Sequence, residues 1–154
     1  MFQISPLPSR QFSHLFGKTD DELAAIGVTV MTADSKPGFP CRVSLRDAEP
    51  GERVLLLNHE HQAADTPYRS AHAIFVIDGA EDAAPLEGEV PEVMQRRTLS
   101  VRAFTADHMM TDADLVDGKD AARLFERLLA DPKVAYLQAH YAKRGCYAAR
   151  IERA

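Results

Sequence analysis

Three stretches of this sequence gather side chains that can do chemistry. The first, Pro37-Gly38-Phe39-Pro40-Cys41-Arg42-Val43-Ser44-Leu45-Arg46, delivers a thiol and a guanidinium. The second is the polar connector His59 to Ser70, which carries His59, His61, Tyr68 and Arg69. The third is the closing segment with His140, Cys146 and Arg150. Arginine offers a planar donor fork that pairs with a carboxylate or phosphate through two bonds. Histidine titrates near neutrality and suits general acid or base work, which makes His61 and His140 the proton-transfer candidates. A thiolate is favoured by nearby positive charge, which Arg42 can supply to Cys41 and His140 to Cys146.

Each of these has a plainer reading. Arg42, Arg69, Arg102 and Arg150 have Asp47, Glu52, Asp65 and Glu152 available as ion-pair partners. Cys41 shares a side with Val43 and Leu45 if its segment is a strand, so it reads as a small core residue, leaving Cys146 as the better thiol candidate. His59, His61, His140 and Cys146 form a nitrogen and sulfur set of the kind zinc or iron takes, but no Cys-x-x-Cys or His-Glu-x-x-His spacing accompanies them. Gly-x-Gly-x-x-Gly, the P-loop pattern and Gly-x-Ser-x-Gly do not occur, so dinucleotide binding, nucleotide hydrolysis and esterase chemistry have no motif behind them. Met109 and Met110 read as core or interface filler.

The elements that position these residues must come from a chain of 154 residues, 45% apolar and 27% charged, which suits one domain, 1–154, with an ordinary core. A formal charge of -5 argues against a general nucleic-acid or anionic-membrane surface. The first residues lack the basic and apolar regions of a secretory signal, and no apolar run reaches the roughly 18 residues of a membrane helix. The expectation is a cytoplasmic protein with two separate thiols.

Phe2 to Ile4 reads as a short strand and Ser9 to Phe16 as a weak helix. Thr19-Asp20-Asp21-Glu22 is a capping box, with Gly27 where a helix C-terminal glycine belongs, which predicts a helix over 20–26. Strands are expected at 28–32, 41–45, 53–58, 73–77 and 98–104. His59 to Ser70 and Glu81 to Val90 read as loops, 91–97 as a helical turn, and 109–116 is ambiguous. Lys119 to Ala130 carries the apolar stripe Ala121, Leu124, Phe125, Leu128 and Leu129, stopped by Asp131-Pro132, and is the principal helix. Two closing strands, 134–140 and 146–152, form a hairpin. With His140 opposite Cys146, one face carries Leu137, Ala139, Tyr147, Ala149 and Ile151. The other then carries Tyr136, Gln138, His140, Cys146, Ala148 and Arg150.

Pro37 to Asp47 with Gly51-Glu52, then His61-Gln62 and Pro67-Tyr68-Arg69, and finally His140, Gly145-Cys146 and Ile151-Glu152-Arg153-Ala154, resemble the bacterial family called domain of unknown function 1203. The resemblance runs over essentially the whole chain. It implies a small single-domain bacterial protein, draws attention to Cys41, Arg42, His61, Tyr68, Arg69, His140 and Cys146, and brings no activity with it.

The expected fold is α+β: a mixed, mainly antiparallel sheet of about six or seven strands, curved or partly barrel-like, with helix 119–130 packed on one face. The expected function is a pocket for a small carboxylate or phosphate ligand. Cys41, Arg42, Tyr68, Arg69 and Arg150 would line it, and His61, His140 and Cys146 would supply reactivity, with Arg42→Ala as the abolishing change. A His/Cys zinc or iron site and a non-enzymatic module dimerising through an edge strand such as Phe2 to Ile4 are the alternatives, and whether the protein is an enzyme stays open.

Overall fold

The computed structural model describes residues 1–154. Its strands are β1 (Phe2–Ser5), β2 (Thr29–Thr32), β3 (Pro40–Cys41), β4 (Arg46–Asp47), β5 (Arg53–Gln62), β6 (Ser70–Ile77), β7 (Leu86–Glu87), β8 (Thr98–Phe104), β9 (Met110–Asp117), β10 (Tyr136–Tyr141) and β11 (Cys146–Arg153). Its helices are α1 (Asp20–Ala24), α2 (Glu92–Gln95) and α3 (Ala121–Leu129), with single 3-10 turns at Ser9–Gln11, Ser13–Leu15 and Gly118–Asp120. The fold is α+β, with mixed, mostly antiparallel sheets and one clear helix over 118–129. Strands form two sheets, a six-stranded one in the order β7-β1-β11-β10-β8-β9 and a five-stranded one in the order β2-β5-β6-β3-β4, where the sequence suggested one. The strands beyond those expected are β4 and β7, of two residues each, and β9, over the stretch whose pattern is ambiguous, while β5 and β6 run on into the polar connector. Contacts group the chain into two compact units. One comprises Met1–Ser5, Glu60–His72 and Ala84–Ala154, the other Pro6–His59 and Ala73–Ala83.

The first unit is built on the six-stranded sheet. Alternation sends Leu99, Val101 and Ala103 of β8, and Leu137 and Ala139 of β10, to one face, all fully buried. Ala121, Leu124, Phe125, Leu128 and Leu129 of α3 are buried as the stripe predicts, and Phe125 meets the ring of Phe2 edge-on at 5.3 Å. β1 lies between β11 and β7, pairing Gln3 with Glu87 and Ile4 with Leu86, so Phe2 to Ile4 is no edge strand. The opposite face of this sheet carries Tyr136, Gln138 and His140.

In the second unit the Thr19 capping box is complete, the Thr19 hydroxyl accepting from the Glu22 amide, and Gly27 takes a left-handed φ of 80°. The reading of 41–45 as a strand is overturned. β3 and β4 form a tight hairpin, Pro40 opposite Asp47 and Cys41 opposite Arg46, with 42–45 as its turn and Leu45 at φ 51°. Backbone bonds hold the turn: Leu7 donates to the Arg42 carbonyl, Arg42 to that of Phe75, and Ala83 to that of Val43. Arg46 grips Glu52 through two bonds of 2.7 and 2.9 Å, which with the Glu49 amide hold the Glu52 carboxyl down at about 2.

Candidate functional site

Gln138 sits in the middle of β10, facing Arg102 on β8 and Arg150 on β11 across the ladder. Its amide is oriented by one bond: Nε2 donates to the carbonyl of His61 at 2.8 Å. Oε1 therefore faces the ring of the same histidine, 3.0 Å from His61 Nδ1. An amide oxygen only accepts, so Nδ1 carries the proton and Nε2 keeps its lone pair. Ser70 Oγ, 3.1 Å from that Nε2, donates to it. The Tyr147 ring stacks on the His61 imidazole at 5.7 Å and 10° and fixes its plane. Burial lowers the His61 pKa and keeps the ring neutral, against the opposing pull of the Gln138 bond.

His140 lies edge-on to His61, ring centroids 4.8 Å apart, and is fully buried. Its Nδ1 donates to the Gly145 carbonyl at 3.0 Å, and its Nε2 stands 3.3 Å from Gln138 Oε1. Burial foremost, then the Arg102 guanidinium, pushes its pKa down to about 3. The neutral ring holds its one proton on Nδ1, toward the Gly145 carbonyl. Two residues before Gln138 on the same face, the buried Tyr136 hydroxyl accepts from Gln62 Nε2 at 2.8 Å and lies 2.7 Å from His108 Nδ1. Its ring stacks on Phe104 at 5.3 Å, Tyr68 meets Phe104 edge-on at 6.2 Å, and the Arg150 guanidinium lies 3.8 Å over the Tyr136 ring.

The arginines differ sharply in what they hold. Arg42 is 1% exposed and turns back to donate to the Pro40 carbonyl, a structural role inside the second unit. Arg69 pairs with Glu60 at 3.1 Å on an exposed surface, and Arg150 pairs with Glu152 at 2.8 Å. Arg102 is half-buried, loses hydration there, and has no hydrogen-bond or carboxylate partner.

Of the residues singled out from the sequence, His61 and His140 come together, with Arg150 and Tyr68 in the adjoining aromatic layer of the same unit. Cys41 belongs to the second unit's core, where its sulfur accepts from the Ile77 amide at 3.3 Å. Cys146 leaves the polar face. A bulge in the β10–β11 ladder at Ala139 and His140 puts Tyr147 opposite His140 and Cys146 opposite Tyr141, so the supposed register fails at this end of the hairpin. Both cysteines are free thiols. His59 stands edge-on to Phe12, and no group of three or more His, Cys, Asp or Glu side chains is arranged to hold a metal ion.

Ser70, Gln138 and Arg102 complete the arrangement; Arg102 is one of the four arginines whose fork could take an anion, while Ser70 and Gln138 have no part in that expectation. Ser70 opens β6, and the polar composition of 59–70 carries no apolar alternation that would mark either end of that connector as strand. The model of the family described as Protein of unknown function (DUF1203) matches residues 38–153, most of the chain. The chain belongs to this family. DUF1203 thus takes in Ser70, Arg102, Gln138 and both central histidines of this site. Curated proteins and solved structures give no match.

Proposed function

We propose that the polar face of the six-stranded sheet binds a small ligand carrying a carboxylate or phosphate on the Arg102 guanidinium, with His61 as the proton acceptor beside it. One observation carries this reading: of the four arginines considered, Arg102 alone holds no acceptor although it is half-buried. A guanidinium that has lost water without gaining a partner gains most from an incoming anion, because a charge-assisted pair is strongest where hydration is poorest. Neutral His61 supports the acid–base half of the reading, since a base must be unprotonated at working pH. A cytoplasmic place goes with this reading, from the two unbridged thiols.

The test is thermal melting against inorganic phosphate, sulfate and small mono- and dicarboxylates. At least one of them raises the melting temperature of the wild type, the gain growing to about 2.7 kcal/mol at a hundredfold excess over Kd. Arg102→Ala loses the gain and Arg69→Ala keeps it. Arg42→Ala does not serve, because it removes a buried donor from the β3–β4 turn. A flat response across the panel, or an undiminished one in Arg102→Ala, overturns the reading.

A further inference from the structure

We propose that Ser70 is a nucleophile, and that this face accepts a small activated acyl ester bearing an anionic group and transfers its acyl part to Ser70 Oγ before water removes it. The proposal rests on the anion reading only for the ligand's charge; the nucleophile has its own geometry. Ser70 Oγ, His61 Nε2, His61 Nδ1 and Gln138 Oε1 form a continuous relay with steps of 3.1 and 3.0 Å. That is the signature of an activated hydroxyl: a nucleophile within reach of a base, and the base turned by a third group. A serine beside a histidine is common, but here the tautomer is dictated. Gln138 cannot turn over, because Nε2 is spent on the His61 carbonyl, and so His61 must offer its lone pair to Ser70. Ser70 and His61 are both half-buried and so reachable, while Gln138 is buried and rigid.

The step balances without any added reagent. Ser70 Oγ bonds to the ester carbonyl carbon as its proton passes to His61 Nε2, and the carbonyl π pair moves onto oxygen. The tetrahedral adduct then collapses, the bond from carbon to the leaving alkoxy oxygen breaks, and that oxygen takes the proton from His61 Nε2. Water repeats the sequence on the acyl-serine, giving a proton to His61 and releasing the acid, and Ser70 recovers its proton. Gln138 steadies the transient imidazolium with a dipole where a carboxylate would do so with a charge. The face is therefore suited to esters with good leaving groups, and Arg102, opposite Gln138 on β8, is the cation available to the substrate's anionic group.

The experiment treats the full chain with diisopropyl fluorophosphate, an uncharged probe, and reads the adduct by intact mass and peptide mapping. Wild type takes up one equivalent at Ser70, Ser70→Ala takes up none, and His61→Gln is slowed at least a hundredfold. The wild-type rate rises with pH on the acid side as His61 loses its proton, and then levels off. This profile decides the matter should His61→Gln fail to fold. No adduct, an adduct elsewhere, a rate indifferent to His61, or a flat pH profile overturns the proposal. Labelling with no phosphate effect on melting sinks the anion reading alone; a phosphate effect without labelling sinks the nucleophile alone.

Discussion

Gln138 uses both ends of its amide, and together they set the proton of His61. Nε2 on the His61 carbonyl turns Oε1 toward His61 Nδ1, and the same oxygen is the only partner within reach of His140 Nε2. Burial first, and then the Arg102 guanidinium, keep His140 neutral in the fold, with a pKa near 3 against an ordinary 6.5. Between those values the unfolded chain binds a proton that the fold excludes. His140 therefore leaves stability unchanged above 6.5 and erodes it as pH falls toward 3, by up to about 1.4 kcal/mol per pH unit for the single proton. Denaturant melts from pH 8 to pH 4 check this. Wild type loses stability steeply over that range, while His140→Gln starts lower but declines less steeply; equal slopes would contradict the assignment. His61 and His140 were legible as proton-transfer candidates from residue type alone. The part played by Gln138 was not, since its value lies in one bond to a backbone carbonyl far away in sequence.

At the level of elements, the strongest sequence signals were local ones. The Thr19 box and the stripe on 119–130 are written within single turns, and both are present. What depended on pairing was less legible. The closing hairpin was readable as two strands, but a single bulge exchanges Cys146 for Tyr147 on the polar face, and nothing in either strand's own alternation announces it. The same holds for 41–45, where apolar alternation was imitated by a turn held by three backbone bonds from distant segments. Gly118, ahead of α3, is another long-range constraint. A Cβ there would lie 1.9 Å from the Met94 carbonyl oxygen and 2.7 Å from that of Arg97, which accepts from the Gly118 amide. Gly118→Ala is expected to cost about 3 kcal/mol, since backbone on both sides must move. Gly27→Ala, at φ 80° with open space around it, is expected to cost about 1 kcal/mol. Urea melts of the two variants separate these values, and a Gly118 variant no worse than the Gly27 one would contradict the packing argument.

For the whole molecule, the α+β class followed from alternation and one amphipathic stripe, but the division into two sheets did not, because it rests on which strands pair, and β3 and β4 of the five-stranded sheet hold only two residues each. No helix is long and apolar enough to cross a membrane. A chain with formal charge -5 offers anions an unfavourable surface in general, so an anion that binds must find a local cation. That cation was legible from sequence only as one arginine among several. What distinguishes Arg102 is the lack of an acceptor, which depends on where every carboxylate of the unit ends up. The direct test is an NMR titration of 15N-labelled protein with inorganic phosphate at neutral pH, following arginine Nε–H groups and imidazole nitrogens together. The account predicts saturable shifts at Arg102 Nε–H and at the His61 ring, with Arg69 and Arg150 unmoved. Shifts confined to Arg69 or Arg150, or a linear drift with no saturation at any arginine, would contradict it.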